Sequence, residues 1–307
     1  MRIVFAGTPA TALASLRRLV ADGHDVAGVL TRPPARAGRR HALRRSAVHE
    51  EAESLGIPVA TPSSLGEQTA DQIASWQPEA VAVVAYGLLV PKALLAVPPL
   101  GWINLHFSLL PAWRGAAPVQ HAIAAGDTVT GACTFQLEEG LDTGPVFASL
   151  TEPIGERETS GELLERLSHS GAELLCDTFR ALAEGTALPR PQSGTPSYAP
   201  TITTAQARID WTKDAASIDR LSRAHTPAPG PWTMLGATRV KLGPLAARAD
   251  VTGLAPGQVA GELVGTGEGA VALSWVAPAG KKPMPAADWL RGARLRPGQG
   301  FDVEERP

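Results

Sequence analysis

The 307-residue chain, 44% apolar and 19% charged, has room for about two domains and is too apolar and too weakly charged to be a disordered one. Its apolar runs fall well short of the ~18–20 residues of a membrane span, and its two cysteines, Cys133 and Cys176, exclude a disulfide framework and a structural zinc site. The net charge of −2 conceals an asymmetry: residues 1–208 carry 16 Lys+Arg against 20 Asp+Glu, and residues 209–307 carry 12 against 10.

Arg2–Gly7 reads as a first strand and not as part of a signal peptide, so the cytosol is the expected compartment. Thr11–Asp22 follows as a helix with Leu13, Leu16, Leu19 and Val20 on one face, and Asp25–Thr31 as the next strand. Then come Arg32, Arg36, Arg39, Arg40, Arg44 and Arg45, with no acid among them. Such a cluster attracts polyanions, nucleic acid first, although a solvated basic surface would look the same. Helical Ser46–Leu55 leads to a strand at Ile57–Ala60, and helical Glu67–Trp76 to one at Ala80–Tyr86. The Ala80–Ala85 run is apolar on both faces, as a central strand of a covered parallel sheet must be. Trp102–His106 is a short strand, Pro118–Ala125 a helix, and Gly131–Gln136 and Val146–Leu150 are strands flanking a loop. Thr159 and Glu162 form a capping box that opens a long helix through Ala183. The expectation is a doubly wound, mostly parallel α/β domain over residues 1–188.

Residues 189–207 are rich in proline, serine and threonine and read as a semi-rigid linker. Beyond them, residues 208–307 predict one helix, Asp214–Ala224, then strands at Trp232–Leu235, Ala237–Leu242, Gly257–Val264 and Ala270–Ala277. Short, evenly spaced strands with a glycine-rich turn at Gly265–Gly269 predict a small β-barrel.

Asn104 and His106 stand two residues apart at the end of a predicted strand, so both side chains face one spot. The carboxyl edge of an open α/β sheet is where ligands bind. An amide donor beside an imidazole suits acyl chemistry, which needs a donor for an oxyanion and a group to move protons. A hydrogen-bonded core histidine beside a turn asparagine would fit the same spacing. Glycines bracket Asp142 in Gly140-Leu141-Asp142-Thr143-Gly144, which brings one carboxylate into a tight turn. It could orient His106 or accept a proton, or be an ordinary turn residue. Ser108 raises a Ser-His-Asp hydrolase, yet its neighbours Phe107 and Leu109 are not the glycines of a nucleophile elbow. The seven histidines show no paired metal-ligand spacing, and Gly7–Ala12 lacks the later glycines of a dinucleotide fingerprint, so neither metal nor nicotinamide chemistry is expected.

Several blocks occur together and in order: Phe5-Ala6-Gly7-Thr8-Pro9, Ala85-Tyr86-Gly87, Asn104-Leu105-His106, Ser108-Leu109-Leu110-Pro111, Trp113–Pro118 and Leu141-Asp142-Thr143-Gly144. Past the linker come Ala207-Arg208-Ile209-Asp210-Trp211 and Pro278–Met284. The whole set resembles the methionyl-tRNA formyltransferase family, within the folate-dependent formyltransferases, over nearly the full chain. The resemblance implies formyl transfer from 10-formyltetrahydrofolate to the α-amino group of initiator methionyl-tRNA. It implies no metal, and catalytic roles for Asn104, His106 and Asp142: the first two hold the oxyanion, and Asp142 keeps His106 charged and assists proton removal. Ser108, Leu109, Leu110 and Pro111 match the family's tetrahydrofolate-binding stretch. Tyr86, Gly87, Leu88, Glu139 and Leu141 would hold the pterin.

For tRNA, Arg36, Arg39 and Arg40 fall in the family's basic loop, and Lys281 and Lys282 lie on the barrel, which would be of the oligonucleotide-binding type. Thr11 and Phe107 depart from the common pattern without touching the three catalytic positions. A monomer is expected. The rivals are a formyltransferase for an amino sugar nucleotide, which can keep a similar second domain, and a tRNA-binding protein with a decayed site. A glycinamide ribonucleotide enzyme normally lacks the second domain.

Overall fold

The run Ala80–Val84 is buried at every position, and a seven-stranded sheet is built around it. The computed structural model describes residues 1–37, 42–296 and 298–303. Two units emerge from the chain: residues 1–118, 129–153 and 164–200 form one, and residues 119–128, 154–163 and 201–307 the other.

The first unit opens with β1 (Arg2–Gly7), α1 (Leu13–Ala21) and β2 (Asp25–Leu30). A short antiparallel pair follows, β3 (Ala35–Ala37) and β4 (Ala42–Arg44). Next come α2 (Ala47–Ser54), β5 (Val59–Ala60), α3 (Glu67–Trp76), β6 (Ala80–Val84), α4 (Lys92–Leu95) and β7 (Trp102–His106). Beyond β8 (Arg114–Gly115) and α5 (Pro118–Ala125), which apart from Pro118 belongs to the second unit, the strands β9 (Val129–Gln136) and β10 (Val146–Pro153) complete the sheet. Helix α6 (Ser160–Ala183), whose first turn also belongs to the second unit, and β11 (Tyr198–Ala199) follow. The order is β10-β9-β7-β6-β1-β2-β5. The five strands from β7 to β5 are parallel, and β9 and β10 are antiparallel additions. From β1 the chain winds outward through β2 and β5, and from β6 the other way through β7. The crevice at this reversal, outside the carboxyl ends of β1, β6 and β7, is where such sheets bind ligands. Fully buried Phe5, Trp102, Phe135 and Phe179 are among the largest side chains of the core.

The proline-rich stretch read as a linker is laid on this unit as far as Pro200. Val146 and Arg190 exchange backbone hydrogen bonds of 2.8 Å, and β11 pairs in parallel with β8.

In the second unit the capping box forms as expected: Glu162 Oε2 accepts from Thr159 N at 2.9 Å, and Thr159 Oγ1 from Glu162 N at 3.3 Å. Asp214 caps α7 (Ala215–Ala224) by accepting from Ser217 N. The strands are β12 (Trp232–Leu235), β13 (Thr238–Leu242), β14 (Ala246–Arg248), β15 (Val259–Ala260), β16 (Leu263–Gly265), β17 (Ala270–Ala272), β18 (Trp275–Pro278) and β19 (Met284–Pro285), and α8 (Ala286–Ala293) follows. They make two antiparallel sheets, β12-β13-β18-β19 and β14-β17-β16-β15, around one core. In it Phe301 is stacked by Trp211 at 5.4 Å and Trp289 at 5.8 Å.

Two expected strands are each two. Gly257–Val264 reverses at Gly261, whose φ of +59° needs glycine, into the hairpin β15–β16. Ala270–Ala277 breaks at Leu273–Ser274, so β17 and β18 serve different sheets. Among the described residues no helix is long and apolar enough to cross a membrane.

Candidate active site

A cleft of about 560 Å³ opens at the carboxyl ends of β6 and β7, within the size range of small-molecule sites. Asn104, His106 and Asp142 all line it. Strand β7 delivers the first two on one face, with Asn104 paired to Val83 and Phe135, and His106 to Cys133. Asp142 comes from the loop between β9 and β10 in the left-handed region, at φ 50°, a conformation that aspartate tolerates better than most residues. Gly144 is obligatory there, since a Cβ would lie 1.8 Å from the Gln136 carbonyl oxygen.

His106 is 5% exposed, its ring set edge-on to Phe135. Its Nε2 lies 2.9 Å from the Trp113 carbonyl oxygen, which only accepts, so Nε2 carries the proton. The other nitrogen, Nδ1, faces Asp142 Oδ2 across 3.8 Å, too far for a direct hydrogen bond. Burial pushes the imidazole below its usual range, against the upward pull of the Asp142 carboxylate and the Trp113 carbonyl. The resting ring is therefore neutral, with an Nδ1 lone pair beside a carboxylate. Asp142 Oδ2 also accepts from Gly115 N at 2.7 Å. Gly115 has a φ of 123°, and a Cβ on it would meet the Ala199 carbonyl oxygen at 2.6 Å. Among the described residues the Asn104 side chain makes no hydrogen bond, and it lines the cleft, which leaves its amide available to a ligand. Trp113 (φ 59°) and Ala85 (φ 47°) are held in the same left-handed region, where non-glycine residues carry strain that gathers at functional sites.

Tyr86, Gly87, Leu88, Glu139 and Leu141 line the cleft beside Val83, Val90 and Leu137. The Tyr86 phenol is pushed up to about 12 by burial and remains protonated. Ser108, Leu109, Leu110 and Pro111 are not among the lining residues. Ser108 is fully buried and donates to the Ala112 carbonyl at 2.5 Å, while Leu109 and Leu110 line a separate hollow with Val146–Ser149 and Arg190. With its proton committed to a carbonyl, and with His106 facing Trp113 and Asp142, Ser108 is not set up as a nucleophile. Cys133, pushed up to about 12 by burial, remains a thiol and is no candidate either.

Arg36 is exposed on β3, whereas Arg39 and Arg40 lie outside the described residues. In the second unit Lys281 and Lys282 are exposed after β18. Among the described residues one cluster could offer three metal ligands, Asp22, His24 and Cys176. Both carboxylate oxygens of Asp22 are taken by Arg180 at 3.0–3.1 Å, and none of the three lines the cleft. Gln192 and Ser197 bond the backbone of the Asp142 and Trp113 loops, and neither stands in the sequence at a spacing that signals it.

A doubly wound sheet whose cleft, at the carboxyl ends of β6 and β7, gathers an amide, an imidazole and a carboxylate has the parts for acyl-group transfer. Residues 1–179 match the formyl transferase family and residues 201–294 the formyl transferase C-terminal domain. The methionyl-tRNA formyltransferase of Paenarthrobacter aurescens (strain TC1) is 55% identical over 95% of this chain and 97% of its own. That of Arthrobacter sp. (strain FB24) is 54% identical over 98% of this chain and its full length. Among solved structures, methionyl-tRNA formyltransferase from Clostridium thermocellum shares the fold at a TM-score of 0.57 and 16% identity, covering 81% of this chain and 94% of that one. WlaRD, a sugar 3N-formyl transferase, does so at 0.68 and 15%, covering 92% and 99%. The chain belongs to the methionyl-tRNA formyltransferase family.

Proposed function

We propose that this chain transfers the formyl group of 10-formyltetrahydrofolate to the α-amino group of initiator methionyl-tRNA, acting in the cytoplasm as a monomer. The observation that carries the reading is the buried His106 whose one unengaged nitrogen faces Asp142 inside the cleft. The apolar walls from Val83, Leu88, Val90 and Leu137 suit a flat pterin, while Ser108–Pro111 act from behind, as the turn leading from β7 toward Trp113–Gly115.

The amine nitrogen bonds to the formyl carbon, and the carbonyl oxygen becomes an oxyanion that the Asn104 amide meets as donor. The proton shed by the amine passes to Nδ1 of His106. The imidazolium is then held between the Trp113 carbonyl and the Asp142 carboxylate, and its Nδ1–H can also face the oxyanion. When the tetrahedral centre collapses, the bond to the folate nitrogen breaks and that nitrogen takes the proton from His106. Desolvation keeps the resting ring neutral and ready to accept, and Asp142 stabilises it once charged.

Residues 208–307 are assigned to tRNA, with Lys281 and Lys282 on phosphates, and Arg36, Arg39 and Arg40 to the acceptor end. Phosphate contacts of this kind weaken steeply with salt.

The test offers 10-formyltetrahydrofolate with charged initiator tRNA, charged elongator tRNA, an amino sugar nucleotide or water alone as acceptor. Formylation confined to initiator methionyl-tRNA is expected. Transfer to the sugar, or none to tRNA, would overturn the assignment. Arg39→Ala should slow only tRNA-dependent turnover and leave folate binding unchanged.

A further inference from the structure

Both members of the His106–Asp142 pair lean on one loop. Trp113 supplies the carbonyl that accepts from His106 Nε2, and Gly115 the N–H that donates to Asp142 Oδ2. With Trp113 at φ 59° and Gly115 at φ 123°, that loop needs outside support, which comes from residues 190–199. Ser197 Oγ accepts from Trp113 N at 2.8 Å, the Ser197 carbonyl from Arg114 N at 2.8 Å, and the Ala199 carbonyl from Ala117 N at 3.1 Å. Gln192 ties the second loop to the first. Its Nε2 donates to the Asp142 carbonyl at 2.7 Å and to the Gly144 carbonyl at 2.9 Å, while its Oε1 accepts from Arg114 Nη2 at 2.6 Å and Nε at 3.2 Å. The paired backbone bonds between Val146 and Arg190 anchor the start of the segment. Neither Gln192 nor Ser197 lines the cleft.

We propose that residues 190–199 form a strap that sets the distance between His106 and Asp142, with Gln192 and Ser197 as positioning residues for the transfer step. The inference rests on the formyl-transfer reading of the cleft. Gln192 reaches no reacting atom; it fixes the backbone from which the Asp142 carboxylate is aimed. Its amide suits the task, since two N–H donors meet two carbonyls while its oxygen meets a guanidinium. Misplacing a reacting group by about 1 Å can cost ~100-fold in rate.

The test is a double-mutant cycle in single-turnover formylation of initiator methionyl-tRNA. Gln192→Ala should lower the rate of transfer between about 10- and 100-fold, with KM for donor and tRNA within about threefold of wild type. Gln192→Glu, which keeps the acceptor for Arg114 but sets a carboxylate against two carbonyls, should fall at least as far. Added to Asp142→Asn, Gln192→Ala should cost less than about twofold more, because a residue acting through Asp142 has nothing left to position. Gln192→Met, of similar length and without the donors, serves if the alanine variant does not fold. A wild-type rate in Gln192→Ala or Gln192→Met overturns the strap, and so does an undiminished loss in the Asp142→Asn background. Should Asp142→Asn alone turn over at the wild-type rate, the reading of the cleft fails first and the strap with it.

Discussion

Replacing Asp142 with asparagine removes one charge and little else. An asparagine oxygen can still accept from Gly115 N, so the loop retains the 2.7 Å bond that fixes it. What disappears is the carboxylate 3.8 Å from His106 Nδ1. At an effective dielectric constant of about 20, two unit charges at that distance attract by about 4 kcal/mol. The asparagine dipole restores part of this once the imidazolium forms, so the transition state should lose about 3–4 kcal/mol, or roughly 100- to 1000-fold in rate. The assay is the single-turnover rate of labelled formyl transfer to initiator methionyl-tRNA at saturating donor, across a range of pH. Asp142 raises the His106 pKa against burial, so without it the imidazole should fall further below its usual range. His106 must be neutral to accept a proton, and rate rises with pH as it loses its own. The acidic limb reporting His106 should therefore move to lower pH while the plateau drops. A plateau at the wild-type level, or a limb displaced upward, would refute the pairing.

Gly144→Ala sets a Cβ against the Gln136 carbonyl and should cost about 1–3 kcal/mol of stability. Because Asp142 is two residues away, formyl transfer should fall more than thermal stability does, as paired melting and rate measurements would register. His225, 5% exposed, is pushed down to about 4 by burial, with His121 adding to the shift. Above its unfolded pKa near 6.5 both states are neutral. As pH falls from about 6.5 to 4 only the unfolded chain gains the proton, so wild type should lose up to about 3 kcal/mol that His225→Phe does not; equal pH slopes in urea titrations would count against this. Arg223, 8% exposed, bonds Asp219 at 2.6 Å and the Glu158 carbonyl at 3.1 Å. Arg223→Leu leaves Asp219 with Arg157 and Ala247 N and should lower stability by about 3 kcal/mol, read as a lower urea midpoint at unchanged slope.

Much of residues 1–188 is legible because its patterns are unambiguous: Ala80–Val84 is apolar on both faces, and Thr159 and Glu162 stand at capping-box spacing. Asn104 and His106 are legible for the same reason, since a two-residue offset on a strand is a statement about direction. Asp142 is betrayed by the glycines around it, one of which the Gln136 carbonyl makes unavoidable. The second unit is harder to read. Residues 270–278 keep a strand-like composition through the corner at Leu273–Ser274, so nothing local marks the change of sheet. Met284–Ala293 escapes notice because a two-residue strand runs directly into a helix. Alanine and arginine in Ala35–Arg44 hide the pair β3–β4, which lacks the β-branched residues that announce strands. Gln192 and Ser197 are invisible for a deeper reason: their partners are backbone groups of loops some 50 and 84 residues away in sequence. Only the fold brings them together.

The most direct measurement compares wild type with His106→Ala in single-turnover transfer of the formyl group to initiator methionyl-tRNA. If proton movement through Nδ1 carries the reaction, wild type transfers the label and His106→Ala is slower by at least ~100-fold, with the folate donor still bound. Equal rates in the two proteins, or no transfer by wild type, would contradict the account.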